Sequence, residues 1–96
     1  MPKAYAVVTY RSISDPQKLA YAKLALPAIT PFEARFLARG NAVVAREHGL
    51  KERTVVVEYP SLEKAIAAYD SAAYAEALKA LGDGAARDFR IVEGVE

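Results

Sequence analysis

With 96 residues the chain has room for one domain and no second core. Thirteen basic against 12 acidic residues leave a net charge of +1, so there is no basic footprint for nucleic acid, and the absence of cysteine removes disulfides and thiolate metal sites. A chain this short buries only roughly 60–65% of its unfolded surface, yet 53% of its residues are apolar, a surplus that points to a homodimer as the simplest cover.

The first residues, Met-Pro-Lys-Ala-Tyr, run straight into a strand pattern without a long apolar run. That reads as neither a signal peptide nor a membrane span, and a cytoplasmic location is the default expectation. Ala4 to Tyr10 alternates as a first strand, with Tyr5, Val7 and Thr9 on one face and Ala6, Val8 and Tyr10 on the other. Asp15-Pro16 starts a helix, Asp as N-cap and Pro at the first helical position. Leu19, Ala22 and Leu26 form its buried stripe, Pro27 is expected to kink or interrupt it, and Pro31 closes the helical region.

Arg35 to Arg39 reads as the second strand. Gly40-Asn41 suggests a bulge, after which Ala42 to Ala45 resumes the strand, and the chain reverses in Glu47-His48-Gly49-Leu50-Lys51. The third strand, Arg53 to Tyr59, carries three consecutive valines, the pattern of a strand covered on both faces. Pro60 ends it and Ser61 offers an N-cap. Leu62, Ala65, Ile66 and Tyr69 give a one-faced helix. Asp70-Ser71 breaks it and caps a second segment with Tyr74, Ala77, Leu78 and Leu81, which Gly82-Asp83-Gly84 stops. Phe89 to Glu93 is the fourth strand.

The order β-α-β-β-α-β defines an α+β, ferredoxin-like domain with a four-stranded antiparallel sheet and strands one and three in its centre. Both helices are expected on one face, over Ala6, Val8, Tyr10, Phe36, Ala38, Val55, Val57, Tyr59, Phe89 and Ile91. The other face, with Tyr5, Val7, Thr9, Leu37, Arg39, Thr54, Val56 and Glu58, has no helix to cover it. Val7, Leu37 and Val56 there form an apolar patch that invites a second sheet.

Four stretches resemble a known family: Arg35-Phe-Leu-Ala-Arg-Gly40, Thr54-Val-Val-Val-Glu-Tyr-Pro-Ser61, Tyr69-Asp-Ser-Ala-Ala-Tyr74 and Ile91-Val-Glu-Gly-Val95. Together, in order and spacing, they resemble the domain-of-unknown-function 1330 family of the dimeric α+β barrel superfamily. The resemblance implies two subunits packed through their open sheet faces around a barrel that takes small molecules. Superfamily members include cofactor-independent monooxygenases, lactone isomerases and haem-degrading enzymes. The family pattern is broken at Glu33-Ala34, at Gly40-Asn41 and at Ser71-Ala-Ala-Tyr74. The resemblance supplies no reaction.

With a reversal at His48-Gly49 and no slippage, Arg39 and Glu58 lie opposite each other on the open face. The pair reads either as an ion pair that sets register or dimer orientation, or as an anion-binding arginine beside a carboxylate base, with Tyr5, Thr9 and Thr54 as polar neighbours. His48, the only histidine, belongs to the charged hairpin as a solvated residue, and Tyr69 and Tyr74 read as packing around the helix break. Nothing resembles a phosphate loop, a nucleophile triad or a zinc spacing, so no cofactor and no metal is assigned. Two functions stay open: a small-molecule enzyme or binder of the barrel type, favouring a small organic acid in a cavity at the open sheet face with Arg39 as its anion anchor, and a non-catalytic homodimeric module whose barrel its own side chains fill.

Overall fold

A computed structural model describes residues 2–95. Four strands, β1 (Ala4–Ile13), β2 (Arg35–Asn41), β3 (Arg53–Tyr59) and β4 (Ala85–Glu93), form one antiparallel sheet in the order β2-β3-β1-β4. Three helices, α1 (Ala22–Ile29), α2 (Leu62–Asp70) and α3 (Ala72–Leu81), complete the β-α-β-β-α-β order, the second helical region being split in two. This is the ferredoxin-like fold, with β1 and β3 central as expected. None of the helices among the described residues is long and apolar enough to cross a membrane.

The caps act where the sequence puts them. The Ser61 side chain accepts the Lys64 N–H, and Ser71 accepts the Tyr74 N–H across the break between α2 and α3. Gly82 ends α3 at φ 51°, a left-handed turn that favours glycine. Asp15 caps the Gln17 N–H, but the helix it opens is a 3-10 helix, Pro16–Tyr21, and α1 begins only after it.

That 3-10 segment corrects the expected stripe. At three residues per turn its side chains fall out of step with the following 3.6-residue helix, so Leu26 stays 44% exposed while Ala28 and Ile29 are buried. Pro27 does not interrupt α1, which runs through it to Ile29 before a 3-10 turn, Thr30–Phe32.

The core lies between the helices and one face of the sheet. Ala6, Val8, Tyr10, Val55, Val57 and Tyr59 are buried there, as are Ala65, Ala68, Tyr74 and Ala77 from the helices. Alternation on β1 and β3 delivers these residues inward and sends Tyr5, Val7, Val56 and Glu58 to the opposite face. The Cα extents are 37 × 32 × 15 Å. The short dimension holds one sheet and one helical layer, since a stacked layer adds about 10 Å.

Three strand expectations need correction. The bulge in β2 sits between Phe36 and Ala38, not at Gly40-Asn41, and Ala42 to Ala45 is loop, with Val43 85% exposed. β1 continues past Tyr10 to Ile13. β4 begins at Ala85, four residues before Phe89, because β1 is long enough to pair with it to Ile13↔Ala85.

Candidate functional site

The bulge decides where Arg39 goes. Before it, Arg35 stands opposite Glu58 and Phe36 opposite Val57; after it, Ala38 stands opposite Val56 and Arg39 opposite Val55. One extra residue exchanges the two faces for the rest of the strand. Arg39 and Glu58 are therefore not a cross-strand pair, and Arg39 shares the helix-covered side with Val55 while Ala38 turns to the open one. There the Arg39 guanidinium lies 4.8 Å from the centre of the Phe36 ring, a cation–π contact at an exposed edge.

The other four candidates stay on the open face but split into two places. Tyr5 stands opposite Glu58 and Thr9 opposite Thr54, at opposite ends of the β1–β3 pair, about 13 Å apart along the strand. Glu58 accepts from the Tyr5 hydroxyl at 3.4 Å and from Lys3 Nζ at 3.5 Å, both long for charge-assisted bonds. Its side chain is only 15% exposed, so this carboxylate is shielded yet lightly satisfied. Thr9 and Thr54 line a separate cavity of about 380 Å³ beneath the β2–β3 loop, which His48, Arg46 and Arg11 also border. Arg11 is spent there, its Nε donating to Asp88 at 2.9 Å.

A different site lies on the covered face, between sheet and helices. A cavity of about 60 Å³ is walled by Val8, Val55, Val57, Phe36, Ile29 and a set of aromatic side chains around Arg87. Each of these has a local cause. Arg87 and Phe89 come from the inward alternation of β4, and Arg87 stands directly opposite Tyr10 of β1. Tyr21 comes from the last position of the 3-10 helix, and Tyr59 from the last of β3. The Ser71 break turns Tyr69, at the end of α2, and Tyr74, in the first turn of α3, towards each other with ring centres 5.2 Å apart. Phe89 packs edge-on to Tyr69 at 4.7 Å.

Arg87 is the only charged side chain lining this cavity among the described residues. Its guanidinium carbon lies 5.4 Å from the Tyr21 ring centre, 5.7 Å from Phe89 and 5.8 Å from Tyr10. One N–H donates to the Tyr21 hydroxyl at 2.9 Å, and the Tyr21 and Tyr10 hydroxyls share a bond of 2.7 Å. No carboxylate pairs with Arg87 among the described residues.

The phenols here are held protonated. Burial, reinforced by the bond to Tyr10 and opposed by the Arg87 charge, raises the Tyr21 pKa well above its ordinary value. Burial, with a smaller contribution from Tyr74, pushes Tyr59 up to about 12. Tyr74 is also raised by burial, against the pull of Arg87. Burial lowers the Arg87 pKa, but Tyr21, Tyr74 and Tyr10 more than offset it, so the group is firmly cationic. At neutral pH the cavity thus presents one fixed positive charge, neutral hydroxyls and apolar walls. Among the described residues there is no cluster of three or more His, Asp or Glu side chains suited to a metal ion.

Residue-level reading from the sequence missed this site for one main reason. With β4 started at Phe89, Arg87 fell in a loop; extending the alternation of Phe89 and Ile91 backwards through Arg87 and Ala85 would have put it on the covered face. The second signal was the tyrosine content, six in 96 residues, four of which line this cavity.

Sheet topology, one-sided helical cover and a cavity between the two layers define a ferredoxin-like α+β domain with an internal polar anchor. The chain belongs to the family described as Domain of unknown function (DUF1330), which it matches over residues 3–95. No curated protein matches it. Among solved structures it is similar to a protein of unknown function from Rhodopseudomonas palustris, with a TM-score of 0.71, 14% identity, and coverage of 99% of this chain and 84% of that one. It is also similar to SnoaB, a cofactor-independent oxygenase from Streptomyces nogalater, with a TM-score of 0.63, 9% identity, and coverage of 100% and 96%. A NIPSNAP family protein from Agrobacterium tumefaciens str. C58 aligns with a TM-score of 0.63, 13% identity, and coverage of 99% and 88%. At such identities these likenesses carry the fold.

Proposed function

We propose that this protein binds a small organic acid in the cavity between the helices and the sheet, with Arg87 as the anion anchor. The observation that carries the reading is a half-buried arginine without a carboxylate partner among the described residues, held by neutral phenols in an apolar cavity. A cation in that setting is poorly solvated and gains most from a ligand that brings the missing negative charge. The likeness to SnoaB fits a small-molecule role but names no reaction for this chain. Arg39, on the same side of the sheet and seated on Phe36 at the wall of the cavity, is a candidate for steering an anion towards it.

The working unit in this proposal is a cytoplasmic homodimer joined through the open sheet face. Supporting it are the one-sided layering and the apolar side chains left on that face, Leu37 at 47% and Val92 at 53% exposure beside half-buried Val7 and Val56. Light scattering at micromolar concentration gives a dimer mass; a monomer removes this part.

The site is tested by a thermal-shift screen of organic acids on wild type, Arg87→Gln and Arg39→Ala. Stabilisation that vanishes in Arg87→Gln and only weakens in Arg39→Ala supports the assignment. Stabilisation that survives Arg87→Gln and is lost in Arg39→Ala moves the site to the edge of β2. Failure of every acid to stabilise wild type favours a non-catalytic, self-filled module.

A further inference from the structure

We infer that the ligand of the Arg87 site is a short-chain monocarboxylate, bound with its carboxylate on Arg87 and the Tyr21 hydroxyl, which Tyr10 braces from behind the cavity wall. This rests on the reading of the cavity as an acid-binding site and adds the charge, the acceptor character and the size of the acid.

The first argument is a count of hydrogen-bonding partners. The guanidinium has five N–H donors, of which one goes to Tyr21 and a second reaches towards the Tyr74 hydroxyl. The two hydroxyl protons of Tyr10 and Tyr21 serve a single bond between them, so one is left over. No backbone carbonyl or carboxylate accepts from this trio among the described residues. The cluster has more donors than protein acceptors, and because no buried side-chain nitrogen or oxygen among the described residues lacks a partner, the donors left over are the ones open towards the cavity mouth and solvent. An ionised carboxylate is the complement, because it only accepts and has roughly four lone-pair sites to offer. An amine or an alcohol would add more donors to a place already full of them.

The second argument is charge. Among the described residues one cation lines this cavity, and no lysine, histidine or second arginine does. A monoanion brings the local charge to zero, whereas the second charge of a dicarboxylate or phosphate would sit unpaired against Val8, Val55 and Val57. The same burial that keeps Tyr21, Tyr59 and Tyr74 protonated opposes any second negative charge there.

Size is the third argument. An engineered apolar cavity of about 150 Å³ takes up a benzene ring. The cavity here, about 60 Å³, is less than half of that. It fits an acid of about two to four carbon atoms without displacing the aromatic walls. Phe89 packs edge-on against Tyr69 and Tyr74, which tilt against each other, and this fixes those walls against one another.

The test is a binding series on wild-type protein with sodium acetate, propionate, butyrate, benzoate, succinate and inorganic phosphate, read by calorimetry and by the 13C shift of labelled carboxylates. Expected is saturable binding of the short monocarboxylates, with succinate and phosphate weaker by about tenfold or more. Arg87→Gln should abolish it, while Tyr21→Phe, which keeps the charge and loses one hydroxyl, should weaken it by roughly three- to tenfold. Succinate or phosphate binding as well as propionate overturns the single-charge inference. Benzoate binding in an Arg87-dependent way while the short acids do not overturns the size inference and leaves the acid site standing. Binding unchanged in Arg87→Gln, or no binding by any acid, overturns both. The selectivity series on wild type stands even if Arg87→Gln does not fold.

Discussion

Val56 and Val57 are neighbours on β3, yet they sit in two different environments. Val57 is 4% exposed beneath the helices; Val56 faces the bare side of the sheet and is half-buried. The bonds made in the first environment are short and its rings close-packed: a hydroxyl pair at 2.7 Å, an arginine bond at 2.9 Å, rings packed edge to face. The second holds a carboxylate with two partners at 3.4 and 3.5 Å, and apolar side chains half in water. One sheet thus carries a finished surface and an unfinished one. The finished side is where a ligand's chemistry is prepared, and the unfinished side is where a second copy is proposed to sit.

The largest expected effect concerns pH. Tyr21, Tyr59 and Tyr74 have folded-state pKa values above their ordinary value of 10.0. Their neutral forms are favoured in the fold, so this contribution is complete below pH 10 and is lost as pH rises through the folded values, about 12 for Tyr59. Circular dichroism should report cooperative unfolding in that alkaline window, with delayed phenolate absorbance. Early, non-cooperative titration of all tyrosines would mean that the covered face is wetter than the open one.

The paired valines come next. Val57→Ala should cost about 2 kcal/mol in urea unfolding, and Val56→Ala under about 0.5 kcal/mol at dilutions where any assembly dissociates. A Val56→Ala cost that grows with protein concentration would instead locate the cover on the open face.

Tyr10→Phe removes one hydroxyl from the covered side and should cost about 1 kcal/mol, because Tyr21 loses one of its two partners and keeps only Arg87. A smaller effect separates Glu58→Gln from Glu47→Gln. The shielded Glu58 should cost more in melting temperature than the loop carboxylate Glu47, although each lies within about 1 kcal/mol. Equal melting temperatures would make the open face no different from ordinary solvated surface. Arg39→Ala should change stability by less than about 0.5 kcal/mol despite its contact with Phe36, since the group is exposed.

Local chemistry determined much of this protein. The alternation in Ala4 to Tyr10, the Thr54-to-Tyr59 run, the Ser61 and Ser71 caps and the stop at Gly82 are decided by neighbours in the chain, so they were readable from it. So were the strand order and the bare face, because connection rules leave few ways to arrange β-α-β-β-α-β elements. Three features waited for the tertiary structure. The position of the β2 bulge depends on how β3 accepts its neighbour, and moving it from Gly40-Asn41 to Leu37 carried Arg39 to the other face. The 3-10 winding after Asp15 moved the buried stripe of α1 from Leu26 to Ala28 and Ile29. The early start of β4 depends on the length of its partner β1, and it alone brings Arg87 opposite Tyr10. A binding site needs residues from several separate segments to meet, and a shift of one position in any strand exchanges inside for outside. That geometry is long-range, so only the folded sheet could decide it.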